Sequence, residues 1–305
     1  KAFSLIANRC LQENIAVNMV KINGKEPEEE IDDYYEGAEV LDPIPGFYKD
    51  PVAVLDYNSL YPSSIIESNL SFETHVDNLK YLNYPGYKYF KHEITIRDRD
   101  KNIVYENGKP KIKINIFAYK EDENGKIIKG VLPSILDNLL TERKAVKNKK
   151  TDDEFLKAVY NSLQLAFKVV ANSLYGQTGA KTSPVYKLEI AETTTFIGRS
   201  RLKFAMTVVK QDMDAKVIYG DTDSIFVIFK MPKYETEHET LMSCIAEGKK
   251  AEALINSKVP KPQKIEFEKI YLRMILVSKK KYTAIKLANN EQEYLANPNG
   301  YIHTM

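Results

Sequence analysis

A chain of 305 residues, 43% hydrophobic and 28% charged, has enough apolar residues for a buried core, which excludes a mainly disordered protein. It has no run of about 18 apolar residues, so no transmembrane helix and no membrane partner are predicted. Its two cysteines lie far apart in sequence, which excludes a disulfide framework and a cysteine-based zinc site. The net charge of +2 is small, but the lysines occur in clusters, a pattern typical of proteins that bind phosphate groups locally.

The first half of the chain is predicted to start with a helix and to continue into short strands. Apolar spacing predicts a helix from residue 1 to about residue 20, and the apolar run 52–55 predicts a buried strand. A short helix is predicted over 63–67, after a proline. Alternating isoleucines predict hairpins within 79–129, a region rich in Lys, Tyr, Gly and Asn.

The second half is predicted to begin with two helices, 132–150 and 155–175, the second ending at Gly176. Because the connection between them is short, we expect an antiparallel helical hairpin. The elements predicted after it are a helix over 186–213, a hairpin over 217–229, a helix over 239–256, and strands over 265–267 and 274–277. The sequence therefore predicts an α+β fold, a sheet with packed helices and an inserted helical pair.

Two carboxylates occupy the tip of the predicted hairpin, in the run Tyr219-Gly220-Asp221-Thr222-Asp223-Ser224. Like charges this close repel unless a cation lies between them. Magnesium binds well to one or two carboxylates together with substrate phosphates. The alternative is a polar turn that stays in water. An EF-hand is excluded because Ile225 and Phe226 follow where further oxygen ligands are required.

A third carboxylate, Asp56, ends the predicted strand and is followed by Tyr57-Asn58-Ser59-Leu60-Tyr61-Pro62-Ser63. A strand end followed by a turn can direct backbone N–H groups at a phosphate. Asp56 could complete a metal site with Asp221 and Asp223. The alternative is an ordinary cap at the end of a strand.

Positive side chains recur at helical spacing on the two long helices. Lys168, Asn172 and Tyr175 share one face of the second helix, and Arg143 and Lys147 are one turn apart on the first. If the helices lie side by side, the three cations can converge around a triphosphate. The alternative is a solvated basic face.

The run Lys279-Lys280-Lys281-Tyr282 follows an apolar strand. Three cations in an extended segment can follow a nucleic-acid backbone, and a tyrosine can lie against sugars or bases. The sequence contains neither a phosphate-binding glycine fingerprint nor a nucleophile elbow, and its histidines have no metal-ligand spacing.

Taken together and in this order, these segments resemble the family B (delta-like) DNA polymerases. The segments that carry the resemblance are 35–38, similar to the tyrosine-glycine segment before the palm, 56–63 and 219–224, similar to the two palm motifs, 168–176, similar to the fingers motif, and 279–282, similar to the basic minor-groove motif. The composition of 79–129 resembles polymerases of large DNA viruses.

The resemblance implies an α+β polymerase palm, an antiparallel sheet with packed helices, into which a two-helix fingers hairpin is inserted. The implied domains are a start of the palm region after an exonuclease domain (1–50), a first palm part with a β-hairpin insertion (51–129), the fingers (130–180) and a second palm part without a thumb (181–305). Without a thumb, we expect weak binding of duplex DNA and poor extension.

The implied activity is template-directed transfer of dNMP from dNTP to a primer 3′-hydroxyl, with two Mg²⁺ ions, in DNA replication. The implied partners are primer–template DNA, dNTP and a sliding clamp bound through other parts of such a polymerase. Asp56 and Asp223 would be the principal catalytic metal ligands, with Asp221 in support. The residues implied to bind dNTP are Ser59, Leu60, Tyr61, Arg143, Lys147, Lys168, Asn172 and Tyr175. The residues implied to bind DNA are Tyr35, Gly37, Lys279, Lys280, Lys281 and Tyr282.

Three other functions stay open at this point. A polymerase that uses RNA templates or protein primers would differ in its template preference. A non-catalytic, polymerase-like scaffold that binds nucleic acid would have no need for all of Asp56, Asp221, Asp223 and Lys168. A magnesium-dependent nuclease would not need the cations of the two long helices.

Overall fold

A computed structural model of the chain describes residues 2–16, 34–232, 236–287 and 302–304. The chain forms two compact units, and each is built from two separate stretches of sequence. Unit 1 consists of Lys1–Gly37 and Tyr61–Phe196, and unit 2 consists of Ala38–Leu60 and Ile197–Met305. Among the described residues, no helix is long and apolar enough to span a bilayer.

Unit 2 is built on one antiparallel sheet. Its strands within the described residues are β1 (Gly46–Tyr48), β2 (Val52–Tyr57), β7 (Lys216–Asp221), β8 (Ser224–Ile228), β9 (Ile265–Ser278), β10 (Lys281–Lys286) and β11 (Ile302–Thr304). They follow the order β11-β10-β9-β2-β8-β7, and β1 also pairs with β9. Helix α6 (Glu237–Lys258) packs on β9 and β2. The predicted α+β fold with an antiparallel sheet and packed helices is confirmed.

Strand β2 lies inside this sheet because its residues suit burial on both faces. Val52, Ala53, Val54 and Leu55 are all buried, which is the pattern of a central strand rather than of an edge. Burying each such side chain stabilises a fold by about 1.5–3 kcal/mol. The strand predicted at 52–55 is therefore confirmed, and it extends to Tyr57.

The prediction of two separate strands at 265–267 and 274–277 is wrong, because β9 is continuous from Ile265 to Ser278. Its first half pairs with β2, while its second half pairs with β10 and β1. The charged residues between the two apolar runs broke the pattern in the sequence. In the sheet, Glu268 and Arg273 are exposed, so they do not interrupt the strand.

Unit 1 combines helices with two short antiparallel ribbons. Its elements are α1 (Ala2–Gln12), α2 (Leu60–Glu67, from Tyr61 onwards), β3 (Lys88–Thr95), β4 (Tyr105–Glu106), β5 (Lys109–Pro110), β6 (Ile112–Tyr119), α3 (Val131–Lys147), α4 (Glu154–Gly179) and the start of α5 (Leu188–Asp212). Strand β3 pairs with β6, as the alternating isoleucines predicted, and β4 pairs with β5. Helix α3 packs against α4, and α1 packs against both.

Several helix boundaries differ from the predictions, most clearly those of α1, α2 and α4. Helix α1 ends at Gln12, and residues 17–20 of its predicted range lie outside the described residues. Helix α2 starts at Leu60 and includes Pro62, because a proline in the first turn loses no intrahelical hydrogen bond. Helix α4 passes through Gly176 and ends at Gly179.

The N-terminus of α3 is capped by polar side chains from the loop that follows α2. The Gly130 N–H donates to Asn69 Oδ1 at 2.8 Å, the Val131 N–H to Glu73 Oε1 at 2.5 Å, and the Leu132 N–H to Ser71 Oγ at 3.1 Å. These bonds satisfy backbone donors that a helix start otherwise leaves unpaired, and the Glu73 carboxylate complements the helix dipole. This loop therefore determines where α3 begins.

Replacing Asn69 by alanine should lower the free energy of unfolding by about 3 kcal/mol. The buried Asn69 side chain also donates to the Ala118 carbonyl at 3.3 Å, and its φ of 52° is costly for alanine. Asn69→Gly removes the same hydrogen bonds without the backbone strain, so it should be the milder change. Urea unfolding of the two variants measures both contributions; equal stability of Asn69→Ala and the parent chain would contradict the argument.

Candidate active site

Four polar residues of unit 2 lie in one row across the sheet. Asp56 of β2 is directly opposite Ser224 of β8 and Glu266 of β9, and Ser224 is directly opposite Asp221 of β7. Directly opposed residues of antiparallel strands project from the same face. Three carboxylates, those of Asp56, Asp221 and Glu266, therefore lie along one face of the sheet.

Asp223 lies in the tight turn that joins β7 to β8. Its N–H donates to the Asp221 carbonyl at 2.6 Å across Thr222, whose φ is 58°. A β-branched residue with a positive φ is uncommon and marks a constrained turn. The Tyr57 N–H donates to the Asp223 carbonyl at 2.8 Å, and the Thr222 N–H donates to the Glu39 carbonyl at 2.9 Å. The turn is therefore tied by its main chain to the residue after Asp56 and to the segment before β1.

The Asp221 carboxylate is contacted by three side chains. Thr222 Oγ1 donates to it at 3.0 Å and the Tyr219 hydroxyl at 3.4 Å, and Lys280 Nζ lies 3.5 Å away. Burial and the neighbouring Asp221 charge raise the pKa of Tyr219. The main-chain N–H of Lys280 also donates to the Tyr219 hydroxyl at 2.9 Å. The lysine run and the Asp-Thr-Asp turn thus meet at Asp221.

An open cleft of about 350 Å³ lies over this turn. It is lined by Tyr219, Asp221, Thr222, Asp223, Ser224, Phe226, Lys280 and Tyr282. The Tyr282 ring packs against the rings of Phe226, 5.5 Å away, and Tyr271, 6.0 Å away. Of the other two lysines, Lys279 pairs with Asp42 at 2.8 Å and Lys281 is exposed. The cleft unites two segments that the sequence analysis treated separately.

The described residues contain no group of three or more His, Cys, Asp or Glu side chains close enough together to share a metal ion. The strands of Asp56 and Asp221 are separated by β8, so their main chains are about 10 Å apart at the usual strand spacing. The expected third carboxylate is therefore in the same row but not in one ligand cluster. Magnesium needs only one or two carboxylates when phosphates supply the other ligands, so the donor set fits that ion.

The turn after β2 leads directly into α2. Ser59 has a φ of 53°. The Asn58 N–H donates to the carbonyl of Lys264 at 2.8 Å, and this bond joins the turn to the residue immediately before β9. Leu60 is buried and anchors the helix start. The main-chain amides of residues 59–61 therefore lie at a helix N-terminus, where an anion is favoured.

Within unit 1, the structure brings together the tyrosines of two different motifs. The rings of Tyr61 and Tyr175 have centroids 4.6 Å apart and are tilted by 47°. Both side chains are half-buried, so each ring is braced while part of it stays accessible. Lys168 and Asn172, on the preceding turns of α4, are exposed.

The cations Arg143, Lys147 and Lys168 lie on α3 and α4, which pack against each other. Arg143 Nε donates to Gln164 Oε1 at 3.4 Å, one turn before Lys168 on α4. Lys147 lies nearer the connection between the helices, in a cleft of about 200 Å³. That cleft is lined by Val146, Lys147, Lys149, Lys157, Tyr160, Asn161 and Gln164. The sequence analysis missed Lys149 and Lys157, which only the pairing of α3 with α4 places beside Lys147.

Tyr35 and Gly37 belong to the segment that leads into unit 2. The Tyr35 hydroxyl lies against Gly179, and a Cβ added at Gly179 would be only 2.8 Å from that hydroxyl oxygen. The Glu36 carbonyl accepts a hydrogen bond from Thr195 Oγ1 at 2.9 Å. Gly37 is exposed. The ends of α4 and the start of α5 therefore hold this segment, and its contact with DNA stays a prediction.

Comparison with known proteins decides the family. A profile described as DNA polymerase family B matches residues 1–299. The chain belongs to DNA polymerase family B. It is 35% identical over 96% of its length to a DNA polymerase of Pyramimonas orientalis virus, and 37% identical over 93% to a DNA polymerase delta catalytic subunit of Candida albicans. It is also 34% identical over 96% of its length to a DNA polymerase of Paramecium bursaria Chlorella virus NY2A.

These comparisons confirm the resemblance to family B and to its delta-type and viral members. The chain spans 28%, 25% and 30% of the length of these three polymerases. Family B membership therefore covers almost the whole chain, while the chain covers about a quarter to a third of each relative.

One carboxylate of the row was missed by the sequence analysis. Glu266 lies directly opposite Asp56, and Lys264 Nζ pairs with it at 2.8 Å. The Glu266 hydrogen bond and charge raise the pKa of Lys264. The alternation of Ile265, Glu266 and Phe267 places Glu266 on the polar side of a strand, but only the pairing of β9 with β2 gives it Asp56 as a neighbour.

Proposed function

We propose that this chain carries the nucleotidyl-transfer centre of a DNA-directed DNA polymerase, which transfers dNMP from dNTP to a primer 3′-hydroxyl in DNA replication. The observation that supports this most is the pairing of Asp56, Ser224 and Asp221 across β2, β8 and β7, with Asp223 in the adjoining turn. Family B membership supports the same activity. Primer–template DNA and dNTP are the proposed substrates, and a sliding clamp is a proposed partner.

The proposed metal ligands are Asp56 and Asp223, with Asp221 in support. Two Mg²⁺ ions bound there would neutralise phosphate charge and activate the primer hydroxyl. The carboxylates of the row supply oxygen atoms only, which is the donor type that magnesium prefers. Lys280 Nζ lies 3.5 Å from Asp221 Oδ1, and the proposal gives this place beside the carboxylate to a metal ion.

The remaining roles concern binding and shape. Phosphoryl transfer needs positioning and charge neutralisation more than covalent help from the protein. We propose that the amides of residues 59–61 and the cations Arg143, Lys147 and Lys168 bind the triphosphate, with Asn172 beside them. Tyr175 would approach the new base pair, and the Tyr61 ring would lie under the sugar and exclude a 2′-hydroxyl.

DNA contacts are proposed for two segments. Tyr35 and Gly37 would contact DNA, and Lys279, Lys280, Lys281 and Tyr282 would bind the primer–template duplex. Because Lys279 and Lys280 are paired with Asp42 and Asp221, DNA binding would exchange those carboxylates for phosphates.

The activity is tested by single-turnover primer extension with the chain in excess over DNA, so that weak duplex binding does not limit the rate. We expect Mg²⁺-dependent addition of one nucleotide, with the preferred dNTP changing when the templating base is changed. Incorporation that ignores the templating base, or none above the level of an Asp223→Asn variant, would contradict the proposal. Cleavage of the primer instead would favour the nuclease.

Replacing Lys168 by alanine should raise the KM for dNTP by about 10–100-fold, because a charge-assisted contact to a phosphate is worth about 1.5–3 kcal/mol. Lys88→Ala is the matched control, since Lys88 is an exposed lysine of the same unit, lies outside the helical pair and is paired with Glu121 at 2.6 Å. Steady-state incorporation as a function of dNTP concentration measures the effect. An equal change in both variants would show that general loss of charge, not a specific contact, is responsible.

A further inference from the structure

A loop of unit 1 outside the candidate active site exposes three tyrosine rings. Tyr81 is 50% exposed, Tyr84 61% and Tyr87 39%. Leu79, beside them, is also exposed. Clustered exposed aromatic rings are unusual on a protein surface and typically mark a binding surface. These tyrosines are therefore candidates for a function other than packing.

A tight turn fixes two of these rings relative to each other. Pro85 and Gly86 occupy its centre, Gly86 has a φ of 80°, and the Tyr87 N–H donates to the Tyr84 carbonyl at 3.1 Å. Proline followed by a left-handed glycine is the sequence of a type II turn. The turn holds the Tyr84 and Tyr87 rings edge to face, with centroids 5.9 Å apart.

A fourth tyrosine, Tyr89, stabilises the loop through two hydrogen bonds to its main chain. The Tyr89 hydroxyl accepts from the Tyr84 N–H at 3.0 Å and donates to the Tyr81 carbonyl at 2.8 Å. Asn78 Oδ1 accepts from the Lys80 N–H at 3.0 Å and caps the short turn that carries Tyr81. Tyr89 thus has a structural role, whereas the other three rings are presented on a pre-ordered backbone, which lowers the entropy lost on binding.

Two lysines lie over these rings. Lys80 Nζ is 4.8 Å from the centre of the Tyr81 ring, and Lys120 Nζ is 4.3 Å from that of Tyr87. Neither forms an ion pair with another described residue, in contrast to Lys88, which pairs with Glu121 at 2.6 Å. Both charges therefore remain available to an anionic ligand next to the aromatic rings.

We propose that Tyr81, Tyr84 and Tyr87, with Lys80 and Lys120, form a tyrosine platform that binds single-stranded DNA. Unpaired bases present flat faces that stack on aromatic rings, while the phosphates between them need cations. A duplex hides those faces, so it fits the platform less well. The platform extends the proposed polymerase function by a site for the unpaired strand, but its binding requires neither Mg²⁺ nor dNTP.

The test is fluorescence anisotropy of a labelled oligothymidylate of about 20 nucleotides, compared with an abasic oligonucleotide of equal length. The 305-residue chain should bind the thymidylate about tenfold more tightly than the abasic strand, because only the former can stack. The triple variant Tyr81→Ala, Tyr84→Ala, Tyr87→Ala should lose that preference. The double variant Lys80→Met, Lys120→Met should bind both oligonucleotides more weakly, and its affinity should depend less on salt concentration.

Two control variants separate stacking from folding. Phenylalanine at all three positions keeps the rings and should retain the preference for thymidylate. Tyr105→Ala removes a tyrosine that is 62% exposed in the β4–β5 ribbon of the same unit, and it should leave binding unchanged. Equal loss in the Tyr105→Ala variant would overturn the assignment to this loop.

The result is distinguishable from failure of the proposed polymerase function. An Asp223→Asn variant should bind thymidylate normally, since the platform does not use that residue. Unchanged thymidylate preference in the triple alanine variant, or no preference in the parent chain, would overturn the platform even if primer extension proceeds. Binding of an acidic protein with no binding of thymidylate would also overturn it.

Discussion

Replacing Asp223 by asparagine should reduce template-directed incorporation by at least about 10³-fold. Loss of a proposed metal ligand would remove several kcal/mol of transition-state charge stabilisation, and each 1.36 kcal/mol is tenfold in rate. The substitution keeps the size of the side chain and the main-chain bonds of the turn, namely those from Asp223 N–H to the Asp221 carbonyl and from Tyr57 N–H to the Asp223 carbonyl. The fold should therefore survive, and single-turnover primer extension measures the loss.

A second measurement separates the effect of the substitution on metal binding from its effect on the rate of incorporation. Titration with Mn²⁺, followed by electron paramagnetic resonance, should show apparent affinity at least about tenfold weaker in the Asp223→Asn variant, since an anionic oxygen ligand becomes neutral. Asp214→Asn is the matched control: it removes the same charge from the same unit, where Asp214 pairs with Lys230 at 2.7 Å on the surface. Full incorporation by Asp223→Asn would refute the metal assignment. Lost incorporation with unchanged Mn²⁺ affinity would place Asp223 in another role.

Replacing Tyr61 by alanine should lower the discrimination between dNTP and rNTP by about 10²-fold. The proposed role of the ring is steric, and relief of a clash worth about 3 kcal/mol corresponds to that factor. The ring is well placed to resist displacement, because Tyr175 packs against it with centroids 4.6 Å apart. The ratio of kcat/KM for a matched dNTP and rNTP, measured with one template base, gives the discrimination directly.

Two further variants test whether discrimination depends on the Tyr61 ring itself or on its contact with the Tyr175 ring. Tyr61→Phe keeps the ring and should keep discrimination. Tyr175→Ala removes the brace and should relax discrimination partly, because the Tyr61 ring gains freedom to move. Unchanged discrimination in Tyr61→Ala would exclude a steric role for this residue, whatever Tyr175→Ala does.

Much of the local structure could be predicted from the sequence because it depends on neighbours along the chain. The apolar run 52–55, the turn from Gly220 to Ser224 and the periodic helices α3 to α6 carry their signals within a few residues of each other. The boundaries were less well predicted. Pro62 and Gly176 were interpreted as interruptions, although α2 and α4 include them, because a first-turn proline and an exposed glycine are tolerated in a helix.

The candidate site could be predicted in its residues but not in its arrangement. Asp56, Asp221 and Asp223 stand out by type and by position at strand ends. The prediction that Arg143, Lys147 and Lys168 converge assumed only that α3 and α4 lie side by side. The register along the pair places Arg143 beside Gln164 and Lys147 in a cleft with Lys149 and Lys157, and convergence of the three cations stays a prediction.

By itself, the sequence determined the family and the α+β class and singled out Asp56, Asp221 and Asp223 as candidate metal ligands, since motif residues and local periodicity are properties of neighbouring positions. Only the tertiary structure decided which of these residues meet. Strand pairing places Glu266 and Ser224 on either side of Asp56, and the return of β10 to β9 brings Lys280 to Asp221. Such contacts depend on register between segments far apart in the chain, and a shift of one residue would turn every side chain to the other face of the sheet.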